Sequence, residues 1–377
     1  MKKICLFLIF FSIFFLFPIT SYADEISDEI TSAIENELEN FKNSLPQEVI
    51  DFFPENTFDG EFSSLIEGIN EKSIWNYILD YFFLGIGTVV KTFSLILVLI
   101  LISSIFAMLG SSFSSESLNN TFSICSVLTV ALSVFSLCHS LALNVGNYLK
   151  IICNVMSSFA PIMAGLQIIS GNISSATVTN ASMVLFISLI DGFLIAFMLP
   201  LVNLCLMFSC VKALGGIEFS GISKLVKTTF TSVTVFAMSI FMFIFSFKNI
   251  LSQGADTLTL KTARFAISSF VPLVGASIND ALRTVSSSLS LIKNSCGVIA
   301  IIAIALIMLP IIIYLFLNKI SFGLLATISK MLHCEKQAVI LEEADSICLY
   351  MLTLVSSSCA LFIFAITIFI KTSLGGI

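Results

Sequence analysis

The sequence predicts an all-α, polytopic membrane protein. Two observations carry this: a composition too apolar to cover a soluble surface, and long stretches with no charge. Of 377 residues, 57% are hydrophobic and 11% charged, where a soluble chain carries about 25% charged residues. No Asp, Glu, Lys or Arg occurs in residues 92–115, 117–149, 151–190, 192–211, 294–318 or 346–370. A helix crosses a bilayer core with about 20 apolar residues, and each run is at least that long.

Residues 1–23 read as a signal peptide. Lys2 and Lys3 precede an apolar run from Ile4 to Phe17, then Pro18 and Ser21-Tyr22-Ala23 as a small-residue cleavage site. An uncleaved anchor helix is the alternative. Residues 24–83 follow as an acidic, helical, extracytoplasmic region with fifteen acidic residues against Lys42 and Lys72. Ile26, Ile30, Ile34, Leu38, Phe41 and Leu45 recur at helical spacing, and Pro46 should end that helix, with a second starting at Gln47. Trp75, Tyr77 and Tyr81 fall where an aromatic belt would meet the bilayer. The region reads either as a solvated hairpin at the membrane surface or as a docking surface for a basic partner. Residues 84–377 form the multi-span membrane domain, with nine acidic and fourteen basic residues. Its expected spans are 84–109, 122–143, 151–170, 182–211, 229–251, 295–317 and 349–370. The interrupted stretch 265–290 would make the count eight instead of seven. Lys and Arg are too evenly shared among the loops to orient the chain.

Two segments look alike. Residues 157–165 read "SSFAPIMAG" and residues 268–276 read "SSFVPLVGA"; Pro200 and Pro310 follow Pro161 and Pro272 at nearly equal distances, and "TFS" at 121–123 matches "TFT" at 229–231. Units 121–204 and 229–314 would then form a repeat. With three membrane segments each, they would make an inverted 3+3 arrangement, whose paired broken helices point to a transport site. The match is short and built of residues common in membranes, so chance similarity stands beside duplication.

The candidate pathway or helix-packing residues are Asp191, Arg264, Pro272, Gly275, Asp280, Arg283 and Pro161. Asp191 lies alone between Lys150 and Lys212. An Asp at helix centre costs about 2.5–3.5 kcal/mol on insertion scales, so it should face the bundle interior, as a proton or cation relay or as a buried contact between helices. Arg264 and Arg283 are the chain's two arginines and flank the break at Pro272 and Gly275; Asp280 and Arg283 are spaced to pair on one helix face. His139 reads as a packed polar residue. The ten cysteines include no CxxC pair and read as small buried hydrophobes. Metalloprotease, serine-hydrolase, Walker and Rossmann motifs are absent; nothing implies a cofactor, and the expectation is a protein that is not an enzyme. An autonomous secondary transporter using the intramembrane charges, or a purely structural membrane anchor, are the alternatives.

At "LKTARFAISSFVPLVGASINDAL" (260–282), followed by "LPIIIYLF", the chain resembles the stage III sporulation protein AE family. The acidic "LPQEVIDFF" and the late "AITIFIKTSLGG" carry the resemblance toward both ends. It implies a multi-pass protein of the mother-cell membrane around the forespore, part of a channel or secretion-like complex required for endospore formation. The implied partners are the other stage III A sporulation proteins and, across the intermembrane space, stage II sporulation protein Q. The family supplies no catalytic residues and no nucleic-acid role.

Overall fold

A computed structural model of the chain describes residues 36–53, 71–110, 116–170, 172–215, 220–270 and 275–372. All its regular structure there is helical. The acidic N-terminal region contributes α1, residues 36–44, and α2, Gln47–Ile50. Between them sits Pro46 at φ −59° and ψ 144°, an extended backbone that α1 cannot continue through. Phe41, Leu45, Val49 and Phe53 recur every four residues and are all buried. This stripe packs on the membrane domain, with the Phe41 and Phe159 rings 5.2 Å apart and Phe52 6.2 Å from Tyr77. Ile26, Ile30 and Ile34 lie outside the described residues.

The rest of the chain makes long helices: α3 (Glu71–Gly110), α4 (Glu116–Ile169), α5 (Ile173–Leu189), α6 (Ala196–Gly215), α7 (Ser220–Phe270), α8 (Gly275–Met331) and α9 (Glu335–Thr372). A six-residue π-helical segment, Ile190–Ile195, joins α5 to α6. Six helices among the described residues are long and apolar enough to span a bilayer. Their outward faces are apolar as well: Leu132, Phe236 and Phe243 are 69%, 67% and 70% exposed. In water such faces would be a liability; against lipid tails they cost nothing.

Cross-helix contacts set the directions. Ser126 and Gln337 meet at one end of α4 and α9, and Phe159 and Phe369 meet near the other, so these two run parallel. Tyr77 Oη donates to the Leu306 carbonyl and Ser104 Oγ to the Leu332 carbonyl, so α3 runs parallel to α8. Lys227 meets Glu343 and Phe230 meets Tyr350, so α7 runs with α9. The chain therefore crosses back and forth in sequence order, with α5, the π segment and α6 making one interrupted crossing.

This arrangement differs from the expected one in three ways. The spans expected at 122–143 and 151–170 lie in one helix of 54 residues, about 80 Å long. Lys150, the charge that separates them in sequence, is exposed on its surface, while Leu149 and Ile152 on either side are buried. A long cation can lie along an apolar helix without ending it. Second, α3 runs unbroken through the boundary expected at 83/84. Third, α4 and α7, which open the two proposed repeat units, run the same way, as do α6 and α8. Two crossings per unit keep the units in the same sense, so the described helices do not form the inverted 3+3 arrangement.

Hairpin α8–α9 is the most closely paired part of the bundle. A Cβ at Gly297 would lie 2.6 Å from Ile370 Cδ1, so glycine permits the approach of the two helices. Its turn is a Schellman cap: Cys334 N donates to Ser329 O and His333 N to Lys330 O, at 2.9 and 3.1 Å, with His333 at φ 60°. Burial raises the Cys334 thiol pKa above its ordinary value, outweighing the hydrogen bond with Ser104 that lowers it.

Candidate functional site

Polar side chains enter this apolar bundle at a few places. The first is the start of α5. Its N-cap position, Asn172, makes no side-chain capping bond, yet a helix start leaves backbone N–H groups that need acceptors. Asp256 supplies them from α7. Its carboxylate accepts from Ser174 N at 3.1 Å, Ser175 N at 2.9 Å and Ser175 Oγ at 2.7 Å, with the residue 4% exposed. A carboxylate is also the charge a helix N-terminus favours. Two turns along α5, Thr179 Oγ1 donates to Asn249 Oδ1 at 3.3 Å. These bonds tie α5 to α7 near the end opposite the α8–α9 turn.

The second place is the π segment, which carries Asp191 and Gly192. Asp191 is exposed on the surface of the chain, not turned into the bundle as its position in an uncharged run suggests. A π-helical insertion widens the backbone spiral by one residue per turn and recurs at functional positions in helices. One turn beyond it, Pro200 lies within α6. Asn203 Oδ1 of α6 lies 3.3 Å from His139 Nδ1 of α4, and the His139 ring stacks on Phe135. His139 is a packed polar contact between helices.

The third place is a charged cluster toward the α8–α9 turn. Lys227 Nζ donates to Glu343 Oε1 at 2.6 Å and to Ser346 Oγ at 2.8 Å. Lys319 pairs with Asp345 at 3.1 Å, and Lys330 pairs with Glu342. A cavity of about 270 Å³ opens beside Lys227, with Lys212 and Lys224 in its wall.

The fourth is Lys293 in α8. It is fully buried, its Nζ lies 4.5 Å from the centre of the Phe369 ring, and it has no hydrogen-bond partner among the described residues. The ring face offers the ammonium some electrostatic compensation. Phe369 in turn packs against Phe159, which touches Phe41 of α1. The buried amide of Gln167 is likewise without a hydrogen-bond partner among the described residues.

The sequence-derived candidates are distributed differently. Pro161 lies on the exposed face of an uninterrupted α4. The described part of α7 ends at Phe270 and that of α8 begins at Gly275, so the break expected at Pro272 falls on residues 271–274, outside the described residues. Pro272 itself, and the side chains of Arg264, Asp280 and Arg283, lie outside the described residues. Asp256 and Lys293 were missed by sequence reasoning. In sequence both look like loop charges flanking a span, and their partners are 81 and 76 positions away. Among the described residues, no three His, Cys, Asp or Glu side chains gather in a way that could hold a metal ion.

The alternating long apolar helices, their exposed apolar faces and their sparse buried polar contacts define a polytopic α-helical membrane protein. Residues 57–373 match the family profile of Stage III sporulation protein AE. The chain belongs to this family. It is also 28% identical over 195 residues to Stage III sporulation protein AE of Bacillus subtilis (strain 168). That alignment covers 49% of this chain and 49% of the relative, so the chain spans about half the length of the curated relative it matches. No solved structure matches the chain. Membership supports a role in sporulation.

Proposed function

We propose that this chain is a non-enzymatic integral component of a channel or secretion-like complex in the mother-cell membrane around the forespore. The observation that carries the proposal is the family match over residues 57–373, borne by a chain with six bilayer-length apolar helices. The other stage III A sporulation proteins would be its partners in the membrane, and stage II sporulation protein Q its partner across the intermembrane space. The acidic segment before α3 would contribute to that outer contact. Its buried stripe at Phe41, Leu45, Val49 and Phe53 anchors it to the bundle, while Glu48 and Asp51 remain exposed.

The buried charges that have partners support a scaffold more than a reaction. Asp256 caps a helix and Lys227 holds α9. Both roles assemble the bundle. Neither leaves a group poised to act on a substrate. The test is detergent extraction of membranes from sporulating cells that carry a tagged chain as their sole copy. The expected result is co-purification with the stage III A proteins, with loss of heat-resistant spores when the gene is deleted. A chain that restores sporulation while purifying alone overturns the complex. Ion-driven solute uptake by the purified chain in vesicles would establish the autonomous transporter instead.

A further inference from the structure

We propose that one face of α4 is a contact surface for a second copy of this chain within the membrane, independent of the role in sporulation. Asn144, Asn147, Lys150, Asn154 and Ser157 recur at steps of three and four and so share one face of the helix. All five are exposed, and none of their side chains makes a hydrogen bond or ion pair among the described residues. On α7 the exposed face carries Phe236 and Phe243, as lipid contact requires. Between Asn144 and Ser157, α4 departs from that pattern. The stripe sits at bilayer depth. Ser126 meets Gln337 and Phe159 meets Phe369, so α4 and α9 keep step, and residues 144–157 stand level with about residues 354–367 of α9. That stretch lies inside the uncharged run 346–370. The uncharged run 294–318 of α8 packs along it, from Gly297 against Ile370 to the Lys319–Asp345 pair just past the other end.

Asp191 of the π segment belongs to the same level. Ser175 meets Asp256 and Thr179 meets Asn249, so the interrupted crossing runs opposite to α7, and therefore to α4. Asn203 of that crossing faces His139 of α4. Asp191, twelve residues before Asn203, thus stands about twelve residues past His139, level with Lys150. It too is exposed and has no hydrogen-bond or ion-pair partner among the described residues. Lipid tails offer these groups no hydrogen bond, and charges inside a membrane pair with one another rather than face hydrocarbon. A second copy supplies what is missing. An amide both donates and accepts, so a stripe of Asn is complementary to itself. Copies inserted in the same orientation carry the stripe at the same depth, so Asn meets Asn across a two-fold axis along the membrane normal. Lys150 and Asp191 give each copy one charge of each sign at one level, so two such faces meet without net charge between them. A partner helix of one charge sign would leave either Lys150 or Asp191 unanswered, and an apolar helix would leave the whole stripe so.

The experiment uses the full-length chain made in a host that forms no spores, so that no sporulation partner is present. Copies tagged with donor or acceptor dye are reconstituted together in vesicles of phosphatidylethanolamine and phosphatidylglycerol at serial lipid dilutions. Energy transfer between copies should fall with dilution as a reversible association does. Asn147→Leu with Asn154→Leu should move the midpoint to about tenfold higher protein density, the worth of two interhelical amide pairs. Both side chains are exposed, so the double variant keeps its fold. Lys150→Glu alone should abolish transfer, and adding Asp191→Lys should restore it. Absence of transfer at every density, an unchanged midpoint in the Asn variant, or a charge swap that keeps the parent's protease resistance yet fails to recover transfer would each overturn the proposal. So would labelling of Asn147→Cys, above that of the parent chain, by a maleimide that cannot cross the membrane, because the stripe would then face water instead of a second copy.

Discussion

Hairpin α8–α9 and the crossing formed by α5, the π segment and α6 are built from similarly apolar sequence, yet they are held by opposite means. The hairpin is continuous and close-packed. Glycine at 297 lets the helices approach, Lys319 and Lys330 tie α8 to α9, and a Schellman turn closes the end. The interrupted crossing has a start that lacks its own side-chain cap and a middle wound as π helix, with Asp191 on its surface. Its order comes from outside, through Asp256 of α7 and Asn203 against His139 of α4. In a membrane, apolar contact with a neighbouring helix competes with equally apolar lipid. A helix without shape complementarity therefore relies on polar contacts to fix its place, and one with close backbone approach adds them to a fit it already has.

The largest effect should come from removing that outside support. Asp256→Ala strands two backbone N–H groups and a hydroxyl, and should cost about 4 kcal/mol by loss of a buried, hydrogen-bonded charge. Asp256→Asn, which keeps acceptor oxygen, should cost less than half as much. Unfolding in mixed micelles would measure both, and limited proteolysis near residues 170–173 would show whether α5 detaches. If Asp256→Ala leaves both unchanged, the cap is not what orders the crossing.

The hairpin should break by crowding instead. A β-branched side chain at Gly297 meets Ile370 directly, and Gly297→Val should cost about 3 kcal/mol through overpacking. Gly192 in the π segment has nothing within 4 Å of an added Cβ. Gly192→Ala should be neutral in the same unfolding assay. Equal costs at the two sites would erase the distinction between a packed pair and an open one.

These contrasts also show what was legible in the sequence. The fold class was, because long uncharged runs are a local property and the bilayer imposes helices on them. The break expected at Pro272 and Gly275 falls on residues 271–274, outside the described ones. Its look-alike at Pro161 did not end the helix: buried Phe159, Ala160, Ile162 and Met163 flank the proline, and α4 continues through it. Packing by distant helices overrode a local breaker. Lys150 misled the span count for a similar reason: only the structure shows it outside a helix whose buried stripe continues past it. Asp256 and Lys293 could not have been placed, since the groups that give them roles come from other helices. The inverted repeat failed on direction, which short matching strings do not encode.

Lys293 puts a further charge inside the hairpin, away from its ion pairs at Lys319 and Lys330. An ammonium buried with no hydrogen-bond partner among the described residues costs more than the Phe369 ring returns. Lys293→Met keeps the length and removes the charge, and should stabilise the purified chain by about 2 kcal/mol. If spore formation falls while stability rises, the lysine serves the complex. If both rise together, it is a tolerated defect in the packing.

The smallest expected effect is at the turn of the same hairpin, where the chain reverses through His333 at φ 60°. That conformation crowds a Cβ against the following carbonyl and costs an L-residue about 1 kcal/mol, whereas glycine adopts it freely. His333→Gly should therefore raise stability by about 1 kcal/mol, less the entropy glycine adds to the unfolded chain. His333→Ala keeps the Cβ and should give no gain. Because Ser329 Oγ also donates to the Cys334 carbonyl at 2.8 Å, the turn keeps its shape in either variant, and the difference between them isolates backbone strain from loss of the imidazole. A gain in His333→Ala equal to that in His333→Gly would mean that the ring, not the φ angle, is what the turn resists.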